Sequence, residues 1–160
     1  MEIKELYREI LNEHNASPAH KAEIGGATLA LDGVNPSCGD SIRLFLRVED
    51  GKIADGGFTG TGCAVSQASA DMMLDLVIGR TEEDALRLAD IFTRMIRGEA
   101  TDAEIEELDE AGSLKDVSHM PSRVKCATLG WRTMREVFEK KGEGIRIGAG
   151  TSAHAECAAR

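Results

Sequence analysis

Between Glu2 and His14 the apolar residues Ile3, Leu6, Tyr7, Ile10 and Leu11 recur every three or four positions, the stripe of an amphipathic helix. Ser17-Pro18 ends it. Thr28 to Leu31 is a short β-prone run. Further on, Ile42, Leu44, Leu46 and Val48 alternate with Arg43, Phe45 and Arg47, the two-residue period of a half-buried strand. Asp50-Gly51 then marks a tight hairpin, because a type I′ turn needs the positive φ that glycine adopts without strain. Ile53 to Phe58 is the returning strand, and the three runs predict a small three-stranded antiparallel sheet.

The rest of the pattern is helical. Val65, Ala68, Met72 and Leu76 mark one face of a helix that starts at Cys63 and stops at Gly79. Thr81 with Asp84 caps the next helix, whose stripe is Ala85, Leu88, Ala89, Phe92, Met95 and Ile96, closed by Gly98. Thr101 with Glu104 repeats the cap signal. Pro121 suits a helix's first turn, and Val124, Ala127, Trp131, Met134 and Phe138 make a buried stripe reaching Lys140-Lys141. From Gly142 onward the chain is Gly, Ala and small polar residues without a period. The expected organisation is one α+β domain over residues 1–141, the sheet packed against several helices, with a flexible tail over 142–160.

Composition narrows the function. Aromatics are only 4%, so the core must be built from Leu, Ile, Val, Ala and Met, which favours helices over an all-β sandwich. The net charge of −9 argues against nucleic acid and anionic membranes as partners. Much of that charge lies between Glu99 and Asp116, where eight acidic residues face Lys115 alone, a run read as a solvated helix. No apolar run nears the roughly 20 residues of a membrane span, and the first residues lack the apolar core of a signal peptide, so a cytoplasmic location is expected. There, four cysteines are metal-bound, reactive or buried rather than paired.

Three of those cysteines sit where a ligand thiol would. Cys38 lies two residues from Asp40 on a turn forced by Pro36 and Gly39. Cys63 follows Gly57, Gly60 and Gly62 and opens a helix, where the positive end of the dipole favours a thiolate. Cys126 is about 200° round its helix from Val124, off the buried stripe and near the helix start. Their spacing matches no C-x-x-C zinc motif, and a free cysteine is commonly a small buried hydrophobe. If the three meet, three thiolates and the Asp40 carboxylate make a tetrahedral set that zinc accepts. His14, His20, His119 and His154 show no ligand spacing and are expected at the surface; Cys157, in the tail, is a bystander.

Asn-Pro-Ser-Cys-Gly-Asp at 35–40, Gly-Thr-Gly-Cys-Ala-Val-Ser-Gln-Ala-Ser-Ala-Asp-Met-Met at 60–73 and Arg-Val-Lys-Cys-Ala-Thr-Leu-Gly-Trp at 123–131 resemble the three cysteine motifs of the NifU/IscU-like iron–sulfur cluster assembly family. The resemblance spans about residues 3 to 140. It is narrower to the SufU branch: Lys125 stands before Cys126 where IscU scaffolds carry a histidine, Met120-Pro121-Ser122-Arg123-Val124 replaces their chaperone-binding segment, and the acidic stretch from Gly98 to Asp116 resembles a SufU insertion. The resemblance implies the IscU/NifU N-terminal-like fold, zinc held by Cys38, Asp40, Cys63 and Cys126, and transfer of persulfide sulfur from a pyridoxal-phosphate cysteine desulfurase of the SufS type. A SufBCD-type scaffold would follow downstream. On this reading Cys38 leaves the ion on docking and accepts the sulfur, with Arg123 beside it stabilising the thiolate. The alternatives are a scaffold that carries iron or an iron–sulfur cluster on the same cysteines, and a metal-stabilised binding module without thiol chemistry.

Overall fold

The computed structural model describes residues 3–35 and 39–140. In chain order these form helix α1 (Ile3–Ala16), strands β1 (Leu29–Asn35), β2 (Asp40–Glu49) and β3 (Lys52–Thr61), helices α2 (Ala64–Val77), α3 (Glu82–Ile96) and α4 (Asp102–Glu107), a 3₁₀ segment Asp109–His119, and helix α5 (Pro121–Lys140). The strands make one antiparallel sheet in the order β1-β2-β3, the α+β fold expected from the pattern. Cys38, with Pro36 and Ser37, and the 142–160 tail with Cys157 lie outside the described residues.

The sheet obeys its alternation on the inner face. Leu29, Leu31, Ile42, Leu44, Leu46 and Phe58 point into one core against α2 and α5. Asp50 and Gly51 turn β2 into β3 with φ of 53° and 77°, the positive pair a type I′ turn requires. The outer face departs from the half-buried expectation. Phe45, grouped by period with the polar positions, is buried against Ala30, Ile24 and Ala27, because the stretch between α1 and β1 folds back over the sheet. That stretch is fixed by backbone hydrogen bonds from Phe58 N to His20 O and from Thr28 N to Leu46 O, each 2.9 Å.

Helix α2 is more central than its single apolar stripe implied. Every residue from Val65 to Leu74 is buried, including Ser66, Gln67, Ser69 and Asp71. The polar ones are tolerated where hydrogen bonds replace lost water. Ser69 Oγ donates to Ala127 O at 2.6 Å and accepts from Trp131 Nε1 at 3.0 Å, lashing α2 to α5. Trp131 in turn stacks on Phe92 of α3, ring centroids 4.3 Å apart.

Two expectations are corrected. His14 is not a surface residue: it is 7% exposed, with Nδ1 2.6 Å from buried Asp71 and Nε2 3.1 Å from Glu110. Burial opposes its charge, but the two carboxylates outweigh that and its pKa is raised. Asp71 also accepts from His20 N at 2.8 Å, so one carboxylate joins α2 to the end of α1 and the segment after it. His20 is half-buried and 2.7 Å from Asp75, whereas His119 is exposed. His154 lies outside the described residues. The acidic run, too, is no single solvated helix. It is the short α4, closed by a full Thr101–Glu104 capping box, followed by the 3₁₀ segment that buries Ala111, Gly112, Leu114 and Val117. Glu104 and Glu107 are spent on Arg94 and Arg87 of α3.

Candidate metal centre

The site begins at the open end of the β1–β2 hairpin. Asn35 pairs with Asp40 in the sheet register, and Gly39 N donates to Asn35 O at 3.0 Å, so the strand ends on either side of residues 36–38 are held together. Alternation sends Asp40 to the core face, where it is 1% exposed. Its Oδ1 accepts from Cys63 N at 2.8 Å. Cys63 is the N-cap of α2 but makes no capping bond with its own side chain, and the helix's first turn holds no acidic residue. The Asp40 carboxylate, delivered from the sheet, therefore supplies the negative charge that a helix N-terminus favours.

Close packing brings Cys126 to the same point. A side chain at Gly33 of β1 would run into Thr133 Oγ1, so only glycine lets α5 lie this near the strand. Gly130 also lies close to α2, where an added Cβ would come within 3.3 Å of Ala70. With α5 pressed against both, Cys126 on its first turns is fully buried, 3.9 Å from Asn35 Nδ2 and 3.9 Å from Ser122 O. A carboxylate oxygen of Asp40 and the sulfurs of Cys63 and Cys126 all lie within 4.8 Å of one another. In a tetrahedral site, zinc–ligand bonds of about 2.0–2.3 Å set donors about 3.3–3.8 Å apart, so side-chain shifts that close each pair by up to about 1–1.5 Å let the cluster share an ion. One hard oxygen and two soft sulfurs suit zinc or iron.

Arg123 lies one turn before Cys126 and faces both sulfurs. The charge of Cys63 raises its pKa most, burial works against this, and Cys126 and hydrogen bonds to both thiols add to the rise. The structure brings together Asp40, Cys63 and Cys126, which local context in the sequence singled out, and Arg123, which the family resemblance named. Cys38, the fourth residue of the expected set, is outside the described residues. Spacing missed Asn35 and Gln67. Gln67 is one turn along α2 from Cys63, a separation that shares a helix face and could have flagged it. Its side chain is buried with neither Nε2 nor Oε1 hydrogen-bonded, a burden of roughly 1–3 kcal/mol.

His14, Asp75 and Glu110 also bring donor atoms within 4.8 Å of one another. There both imidazole nitrogens already face carboxylates, which makes the group a clamp between α1, α2 and the 3₁₀ segment.

The NifU-like N-terminal domain family model matches residues 6–139. Among relatives, the chain is 40% identical over 145 residues to the iron–sulfur cluster assembly scaffold protein IscU of Streptococcus pyogenes, covering 91% of this chain and 90% of the relative. It is 36% identical over 139 residues to the zinc-dependent sulfurtransferase SufU of Bacillus subtilis, covering 87% and 93%. A crystal structure from Fervidobacterium islandicum AW-1, described as an iron–sulfur cluster assembly scaffold protein for the SUF system (FiSufU), superposes with a TM-score of 0.77 at 32% identity, over 83% of this chain and 96% of that one. The chain belongs to the NifU-like N-terminal family of iron–sulfur cluster assembly proteins. Among the described residues, no helix is long and apolar enough to cross a membrane.

Proposed function

We propose that the protein is a zinc-dependent sulfurtransferase of cytoplasmic iron–sulfur cluster assembly, taking persulfide sulfur from a pyridoxal-phosphate cysteine desulfurase of the SufS type and passing it toward a SufBCD-type scaffold. The observation that carries this reading is the convergence of Asp40, Cys63 and Cys126 at the N-terminus of α2. Cys38, two residues before Asp40, completes the set of four ligands. When bound, zinc keeps its thiolates deprotonated at neutral pH and so holds a nucleophile in reserve.

The chain's own groups divide the work. Asp40, fixed by Cys63 N–H, is the hardest and most weakly held donor for zinc and gives the site its lability. The Cys38 thiolate attacks the outer sulfur of the desulfurase persulfide. The S–S bond breaks, the partner's cysteine leaves as a thiolate, and Cys38 carries the persulfide. Arg123 offsets the negative charge that collects on the sulfurs. The SufU name of a relative that aligns over most of this chain supports the reading.

A second reading, the scaffold that builds a cluster on the same residues, is favoured by the IscU name of the relative at 40% identity. Anaerobic reconstitution separates the two. Zinc that resists replacement by iron supports sulfur transfer, and a stable visible-absorbing cluster handed to an apo-protein supports the scaffold. For the acceptor, Cys38→Ala is assayed for desulfurase turnover with zinc content measured in parallel. Loss of stimulation beyond the loss of zinc is expected, and full stimulation removes Cys38 from the role.

A further inference from the structure

We propose that Gln67 is a positioning residue of the metal centre, its side-chain amide donating to the Asp40 carboxylate when the ion is bound and holding that carboxylate in place. The inference rests on the zinc reading above and deepens it.

Gln67 N donates to Cys63 O at 3.1 Å, so the glutamine stands one helical turn above the thiol. The residue is 7% exposed, and neither its Nε2 nor its Oε1 is hydrogen-bonded. The other buried polar side chains of α2 have partners: Ser69 bridges to Ala127 and Trp131, and Asp71 holds His14 and His20 N. A buried amide without a partner is rare in a native interior and calls for a ligand.

Gly62 shows where the amide points. A Cβ at that position would meet Asp40 Oδ1 at 2.9 Å and Gln67 Nε2 at 3.2 Å, so carboxylate and amide face the same small space that glycine leaves open. Ser66 Oγ borders it as well, but its hydroxyl donates to Cys63 O at 3.1 Å. Gln67 therefore brings the uncommitted N–H groups. Cys63 N–H already holds Oδ1, and the amide beside it is placed to add Nε2 as a further donor to the carboxylate. Groups that hydrogen-bond a metal-bound ligand fix its orientation, and their loss typically weakens metal binding 10–100-fold.

The test measures zinc affinity by competition with a chromophoric chelator for the wild type, Gln67→Met, Asp40→Ala and the double variant. The visible spectrum of each Co2+-loaded protein and the melting temperature of each metal-free protein are recorded alongside. Methionine keeps the length and removes the donors. Gln67→Met should bind zinc about 10-fold more weakly or worse, shift the cobalt bands, and melt no lower than wild type when metal-free. In the Asp40→Ala background the same substitution should change neither affinity nor spectrum. Affinity within twofold of wild type, an equal loss without Asp40, or a large drop in metal-free stability would overturn the role of Gln67 while leaving zinc binding intact. A wild type that holds no zinc would overturn the metal reading itself and Gln67 with it.

Discussion

Replacing His14 with leucine removes the partner of a carboxylate that is 1% exposed, and its cost follows from what Asp71 retains. Breaking a buried ion pair from one side costs about 3–5 kcal/mol when nothing else satisfies the remaining charge. Asp71 keeps the His20 N–H at 2.8 Å and the Ala19 N–H at 3.3 Å, so the loss should fall to about 2–3 kcal/mol, a drop of about 5–10 °C in melting temperature for a domain of this size. The pH dependence gives the sharper test. Burial disfavours the imidazolium, yet Asp71 and Glu110 raise its pKa above the ordinary 6.5. A raised folded-state pKa contributes stability that is complete below the unfolded value and disappears as pH climbs through the folded one. The gap between wild type and His14→Leu should therefore be widest near pH 6 and shrink toward pH 9. It should not vanish, because neutral histidine still donates from Nδ1. Thermal melts of both proteins at the two pH values decide it. A gap that is constant, or that grows with pH, would refute the charged clamp.

Other outcomes follow from the same geometry. Gly33→Ala drives a methyl group into Thr133 and should cost about 1–3 kcal/mol in urea melts; adding Thr133→Ala should return at least about 0.5 kcal/mol, since the two residues touch. Thr101→Ala opens the capping box of α4 and should cost about 1 kcal/mol, with faster amide exchange over Asp102–Glu107. Glu104, held by Arg94 and by Thr101 N–H, has its pKa lowered to about 2. Its stabilisation is complete above the ordinary carboxylate value and is lost as pH falls through about 2, so the melting curves of wild type and Glu104→Gln should converge at the acid end of that window.

The fold could be read from residue order because local rules governed it. The Asp-Gly turn, the strand alternation, Pro121 and the two threonine caps each act within a few residues, and each element stands where they put it. What escaped depends on partners distant in sequence. Phe45 is buried by a segment some twenty residues earlier, and His14 by a carboxylate 57 residues away. Ser69 and Asp71 of α2 hide in the interior because α5 and the stretch around the end of α1 satisfy them. Within the site, chemistry singled out the thiols and Asp40, while the contact of Gly33 with Thr133 that carries Cys126 to them left no mark in either segment alone.

Metal analysis of the protein purified without added metal bears most directly on the central claim. Elemental quantification should find about one zinc per chain, lost in Cys63→Ser and Cys126→Ser and depleted in Asp40→Ala, with no visible absorption from iron. Protein that carries a coloured iron–sulfur cluster, or that holds its zinc when Cys63 and Cys126 are both replaced, would contradict the account.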